Sequence, residues 1–442
     1  MPNPETATHT VEARTMRRVA LRIVPFLMVC YFVSFVDRVN LGFAALDMVR
    51  DLRLSPTVFG FGGGIFFVSY FLCEVPSNLL LERLGARRWI ARIMITWGIL
   101  AGAMALVTGP RSLYLMRFLL GAAEAGFFPG VILYITYWFP AKYRARIIGW
   151  FTVAIPVSSF LGSPISAALL ETEGWMGLHG WQWMFILEAV PAVLLGFMCL
   201  VVLSDHPRDA KWLRTDEREW LLTRLREDSR RARPVDQVSL WRVLWNKHVL
   251  VLAVVLAGST AVSSGLQLWQ PQIIKSYGLT NIQTGLLNSI PFALASVIMV
   301  WVGQHSDRTG ERIWHASLPL MLTALSLTSA LVFDSLFAIV VILSLAVIGI
   351  YAGKGPVWAV STEWLSAGTA AAGLAQINAV SNLAGFGTTY VMGFIKDATG
   401  SFTMALLPLV GLSATAAIAI LWIGRSRTMM GVATDKAAVT TA

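Results

Sequence analysis

Charge is what this sequence has least of. Only 14% of its 442 residues are Asp, Glu, Lys or Arg, against about 25% in soluble domains. So few charges cannot clothe a water-soluble protein of this length. Cysteine is nearly absent too: Cys30, Cys73 and Cys199 stand far apart inside apolar runs, with no Cys-x-x-Cys and no Cys/His cluster. That excludes a disulfide framework and gives no reason to expect a metal. The six histidines are scattered without a His-Glu-x-x-His, so a membrane metalloprotease has no support. Residues 1–12 carry no apolar core, and the first apolar run leads into a full-length span, so no cleaved signal peptide is expected.

What the chain has instead is apolar length. Hydrophobic residues make up 56% of it, with a mean hydropathy of +0.65. The apolar runs recur from end to end, each near the roughly 20 residues that cross a bilayer as a helix. They predict an all-α polytopic membrane protein with twelve transmembrane helices, over 22–46, 56–81, 89–108, 112–138, 147–171, 181–203, 248–270, 284–304, 313–332, 336–361, 370–395 and 402–424. These fall into two six-helix bundles, 22–203 and 248–424. They are flanked by a cytoplasmic N-terminal segment, 1–21, a polar central loop, 204–247, and a cytoplasmic C-terminal tail, 425–442. Within the loop, Trp212 to Arg226 could form a short amphipathic helix at the membrane surface.

The basic residues orient the chain. With the N-terminus inside, 27 of the 35 Lys and Arg fall in inner segments and 5 in outer loops. The positive-inside rule then puts both termini in the cytoplasm. The net charge of +10 is this topology signal, so nucleic acid is not expected as a partner. The halves also repeat. Glu82-x2-Gly85-x-Arg87 after span 2 returns as Asp307-x2-Gly310-x-Arg312 after span 8, with Gly303 at the place of Asn78 and Gly387 at that of Gly162, all at an offset of 225 residues. Parallel repeats about an axis along the membrane normal are a known transporter design.

These loops resemble the signature of the major facilitator superfamily (the MFS fold), and the resemblance covers nearly the whole chain. Finer features are similar to its anion:cation symporter family, which includes tartrate, phthalate, galactonate and glucarate permeases and sialin-type carriers. They are Asp37-Arg38-Val39-Asn40, Tyr70-x3-Glu74-Val75-Pro76-Ser77-Asn78, Arg117-x6-Glu124 and Asn378-x3-Asn382. Asp209-Ala210-Lys211-Trp212-Leu213 looks like the tartrate/phthalate branch. The resemblance implies a proton-coupled symporter for a small organic anion, working as a monomer in the inner membrane without a cofactor. It implies that Asp37 and Glu124 are proton sites, that Arg38 holds a substrate carboxylate, and that Arg117 pairs with Glu124. Tyr70, Trp358 and Asn378 match positions that contact substrate. An organic-anion or organophosphate antiporter is the alternative, and a membrane-embedded sensor a more distant one.

The residues speak independently of family. A charge in hydrocarbon costs roughly 2.5–3.5 kcal/mol or more, so it faces a cavity or a partner. Asp37 and Arg38 lie near mid-membrane but about 100° apart around one helix. Glu124 is seven residues beyond Arg117, within ~20° of the same face and ~10 Å along the axis. A network of buried ion pairs that merely holds helices together would explain the same set. Lys354 is flanked by Gly353 and Gly355 and followed by Pro356, which predicts a broken or closely approached helix lining the central cavity. Lys354 is expected in that cavity opposite Arg38, with a lysine snorkelling to the inner interface as the alternative. Phe35 and Ile155 stand where sugar-acid carriers offer polar groups, which favours a less polar or aromatic carboxylate. Gly60-Phe61-Gly62-Gly63-Gly64 follows no strand, so it reads as helix packing and not as a nucleotide loop. Glu74 and Glu188 read as structural.

Overall fold

The computed structural model describes residues 4–231, 245–364 and 367–440. It contains only helices among them: α1 (Pro4–Asp51), α2 (Pro56–Leu84), α3 (Ala86–Ala103), α4 (Pro110–Glu124), α5 (Phe127–Trp138), α6 (Ala141–Leu170), α7 (Gly180–Val202), α8 (Thr215–Arg231), α9 (Lys247–Lys275), α10 (Asn281–Thr309), α11 (Ile313–Ser329), α12 (Leu336–Trp364), α13 (Ala367–Thr399) and α14 (Phe402–Thr440), with short 3-10 turns between. A bilayer offers no partner for a bare N–H or C=O, so a chain this apolar must close its hydrogen bonds within helices. Ten of the described helical stretches are long and apolar enough to cross a membrane, α4 and α5 together counting as one. With α11 and α13 they match the twelve expected spans. Residues 232–244 of the expected central loop lie outside the described residues.

The chain divides into two compact units. The first comprises residues 1–40, 68–162 and 169–234. In it α3 and α7 approach through small residues: a Cβ on Gly98 would lie 2.8 Å from Val193, and one on Gly196 would lie 2.6 Å from Ile95. The α1 extension is tied to α8 by charge. Glu217 of α8, fully buried, accepts from Arg14 Nε at 3.0 Å and Arg18 Nη1 at 2.7 Å on the α1 extension. Trp212, just before α8, stacks on Trp138 at 5.4 Å. The expected amphipathic helix is therefore present but starts later, at Thr215, and is anchored by ion pairs as well as by apolar contact.

The second unit comprises residues 41–67, 163–168 and 235–442. Its core packs Leu252 and Leu256 of α9 with Leu320 of α11, Val360 of α12, Ile377 of α13 and Ile420 of α14. The glycine run of α2 is a packing face here, since a Cβ on Gly60 would lie 2.4 Å from the Thr389 carbonyl and one on Gly64 3.0 Å from that of Phe386. Asp397 caps the start of α2, accepting from the Thr57 N–H at 2.9 Å and from its hydroxyl.

Two local expectations change. Span 4 is not one helix: α4 ends at Glu124, Ala125 leaves the helical conformation with ψ 132°, and α5 starts after Gly126, whose φ is +86°. Conversely, the Gly353–Pro356 stretch does not break. α12 runs through Pro356, and a Cβ on Gly353 would meet only ordinary contacts at 3.5–3.6 Å. The close approach in α12 is one turn earlier, at Gly349.

Candidate functional site

The charged residues of α1 and α4 meet inside the first unit. Glu124, the last residue of α4, is 1% exposed. Its Oε1 accepts hydrogen bonds from Arg38 Nε at 2.7 Å and Ser34 Oγ at 3.0 Å, and Arg38 Nη2 lies 2.6 Å from it as an ion pair. Ser34 and Arg38 are four residues apart on one face of α1, so both reach the same oxygen. Ser34 was not among the residues expected at the site, although its spacing from Arg38 is visible in the sequence. The break behind Glu124 is fixed by Gly126. Its left-handed backbone suits glycine, and a Cβ there would lie 2.4 Å from Ser77 Oγ on α2.

Arg38 is the one part of this pair that reaches outward, its side chain 25% exposed against 2% for Glu124. Two rings hold the guanidinium, Phe35 at 5.1 Å and Tyr70 at 5.3 Å from its central carbon. Arg117 is 6% exposed and lies within electrostatic reach of Glu124, Arg38 and Asp37. Arg38 of another helix is thus a direct partner of Glu124, and Arg117 on its own helix adds to the field around it. Asp37 is 3% exposed. Its Oδ1 accepts from Asn40 Nδ2 at 3.3 Å, while Oδ2 has no donor among the described residues. Asp37 and Arg38 therefore point to different neighbours, as their helical angle requires.

The remaining candidates belong to the second unit. Lys354 on α12 is half-buried, with its Nζ 4.7 Å from the centre of the Tyr351 ring. Tyr351 is buried, and its hydroxyl accepts from Gln267 Nε2 at 3.0 Å. Trp358 follows Lys354 by one turn and is exposed, and Asn378 on α13 is half-buried.

The two repeated loops share one backbone device. Gly85 and Gly310 both sit at positive φ, +88° and +69°, where other residues are strained. Their arginines differ. The Arg87 N–H donates to Asp205 Oδ1 at 2.9 Å, whereas Arg312 Nη1 reaches Asp307 Oδ1 at 2.6 Å. Glu82 lies in the last turn of α2, beside the first loop, and Gly303 has open space about it. The other pair at this offset is unlike: a Cβ on Gly162 would meet Val36, while Gly387 is open. No group of three or more His, Cys, Asp and Glu fit to hold a metal occurs among the described residues.

Such a site can bind an anion and exchange protons. A guanidinium with some exposure can take a carboxylate, and a buried carboxylate deprived of its cation must take a proton or remain as a costly bare charge. Comparison with known proteins agrees with a transporter. The family model described as Major Facilitator Superfamily matches residues 27–389. A protein of Agrobacterium vitis named "Putative tartrate transporter" is 50% identical over 95% of this chain and 93% of its own. The "Quinolone resistance transporter" of Acinetobacter baumannii is 37% identical over 89% of this chain and 91% of its own. In fold, the chain resembles the crystal structure of a D-xylose-proton symporter, with a TM-score of 0.72 at 15% identity, covering 91% of this chain and 96% of that one.

Proposed function

The chain belongs to the major facilitator superfamily, and on that premise we propose that it imports a small organic anion, a mono- or dicarboxylate, together with protons by alternating access. It is a multi-pass membrane transporter and not an enzyme. The proposal rests above all on the Arg38–Glu124 pair at 2.6 Å. A substrate carboxylate competes with Glu124 for Arg38. Once displaced, Glu124 stays in a dry site and takes a proton, so anion and proton bind together. Asp37 carries a further proton, and Arg117 keeps the site's potential positive enough to attract the anion.

Lys354 selects a second acidic group, and Tyr70, Trp358 and Asn378 contact the substrate. The relative named for tartrate, a dicarboxylate, fits a carrier with two such cations. Phe35 and Ile155, both buried, favour substrates with an apolar or aromatic portion. The carrier works as a monomer in the inner membrane, and its inner surplus of Lys and Arg supports cytoplasmic termini. An organic-anion antiporter would need no acid held by the anion-binding arginine, and Glu124 weighs against it.

The test is substrate-linked proton uptake. Mono- and dicarboxylates are first screened by thermal shift, because a ligand bound to the native state raises its apparent stability. The stabilising anions are then added to purified protein in weak buffer with a pH dye. Alkalinisation on binding is expected, and binding without it contradicts the proposal.

A further inference from the structure

Asp397 plays no part in the scheme above. It belongs to a seam inside the second unit, where residues 41–67 and 163–168 of α1, α2 and α6 pack with the second six-span half. The proposed topology turns these ends outward, and alternating access requires them to part from that half. Close approaches join them to it. A Cβ on Gly42 would lie 2.7 Å from the Gln267 carbonyl, and one on Gly60 2.4 Å from that of Thr389. A Cβ on Gly285 would lie 2.8 Å from the Ser163 carbonyl and 3.3 Å from Pro164 Cα. The 225-residue offset relates Gly42 to Gln267, Gly60 to Gly285 and Pro164 to Thr389. The first contact is therefore its own mate, and the other two are one contact used twice.

One bond on this seam has no mate. Thr389, Gly393 and Asp397 recur every fourth residue along one face of α13. A Cβ on Gly393 would lie 2.3 Å from the Pro56 carbonyl. One turn on, Asp397 Oδ2 accepts from the Thr57 N–H at 2.9 Å and from the Thr57 hydroxyl. At the same offset Asp397 answers to Thr172 and Thr57 to Ile282, a pair without a carboxylate. Nor does α2 need this bond in order to start. Pro56 opens it, a favoured first residue, and Ser55 Oγ accepts from the Val58 N–H at 3.2 Å. Asp397 is thus a second cap, supplied from the other half of the chain to a helix end that favours an anion. Slight burial raises its carboxyl, but the Thr57 hydroxyl and N–H and the Ser55 hydroxyl outweigh it and hold Asp397 below its ordinary 3.8. It stays charged near neutral pH, so outside acid does not loosen the tie. It is also exposed, so water replaces the bond when the seam parts. We propose that Asp397 is an outer latch: by capping α2 from α13 it biases the seam toward closure and limits the share of molecules open to the outside. This inference rests on the transport reading and its topology.

The experiment compares wild type, Asp397→Asn and Asp397→Ala by hydrogen exchange with mass spectrometry, and then by uptake of labelled tartrate into proteoliposomes. Loss of a helix cap shifts an equilibrium about fivefold. Asp397→Ala should therefore speed exchange about fivefold along the whole seam, in peptides holding Gly42 and Gly285 as well as Thr57, and leave the inner ends of the same helices unchanged. Asp397→Asn keeps an acceptor without the charge and should fall between; it serves alone if Asp397→Ala does not fold. Faster exchange confined to Thr57 and Val58 marks a local cap and overturns the latch, with the transport reading intact. No change overturns it too, as does a uniform rise over the whole protein with a lowered Tm. In uptake, the half-saturating external tartrate should fall about fivefold in Asp397→Ala, because a rarely populated open state dilutes apparent affinity. An unchanged value overturns the latch. If tartrate is not carried even by wild type, that failure belongs to the transport reading, and the exchange pattern by itself upholds or overturns the latch.

Discussion

The Arg38 guanidinium holds Glu124 by two nitrogens on one oxygen, Nη2 at 2.6 Å and Nε at 2.7 Å. The acid is buried and the base is partly open. An anion arriving at Arg38 and a proton arriving at Glu124 are therefore two halves of one exchange.

Glu124→Gln imitates the protonated acid. It cannot hold Arg38 as an ion, so substrate binding should persist and exchange should continue. Gradient-driven accumulation should be lost. Parallel counterflow and accumulation assays check this, and a variant that still concentrates substrate shows that coupling lies elsewhere.

Arg38→Ala leaves Glu124 buried without its cation and the substrate without its anchor. Breaking a buried pair costs about 3–5 kcal/mol, or roughly two to three and a half decades in affinity. Arg38→Lys should also bind poorly, since a point charge cannot place two donors on one oxygen while lying between Phe35 and Tyr70. Lys354→Ala should weaken a dicarboxylate strongly and a matched monocarboxylate little. Calorimetric titration of both ligands separates these outcomes, and equal losses would reduce Lys354 to general positive potential.

Gly126→Ala tests the break behind Glu124. An L-residue at its φ of +86° costs about 1–2 kcal/mol, and the added Cβ would lie 2.4 Å from Ser77 Oγ and 2.7 Å from Ser77 Cβ. Scanning fluorimetry should show a lowered Tm. Gly149→Ala, in a helix with nothing within 4 Å of its Cβ, should be neutral or stabilising.

A pH effect is expected at the α10–α11 connection. Burial pushes the Glu311 carboxyl up, but the N–H groups of Trp314 and His315 and the His315 ring outweigh it and hold Glu311 below its ordinary 4.5. A folded value below the unfolded one gives stability that is fully present above about 4.5 and lost as pH falls through the folded value. Hydrogen exchange at Trp314 and His315 should quicken over that fall, and Glu311→Gln should remove the dependence.

Much of this was legible in the sequence because it follows from periodicity and cost. The spans follow from apolar length, and Asp37, Arg38, Arg117 and Glu124 from the expense of charge in hydrocarbon. Gly85 and Gly310 follow from a turn that needs positive φ. Contacts between helices were not legible. Spacing within span 4 points Glu124 at Arg117, and only the packing of α1 on α4 shows that Arg38 reaches it too. The break at Gly126 had a signal, Pro129 three residues on, because a glycine followed by proline marks one helix ending and another starting. The same cue at Gly355-Pro356 misled, since α12 carries its proline without stopping.

The most direct test is uptake of labelled carboxylate into proteoliposomes under an imposed inward proton gradient, with and without a protonophore. The account predicts accumulation above the external concentration that collapses to equilibration when the protonophore is added. Accumulation undiminished by the protonophore would contradict it.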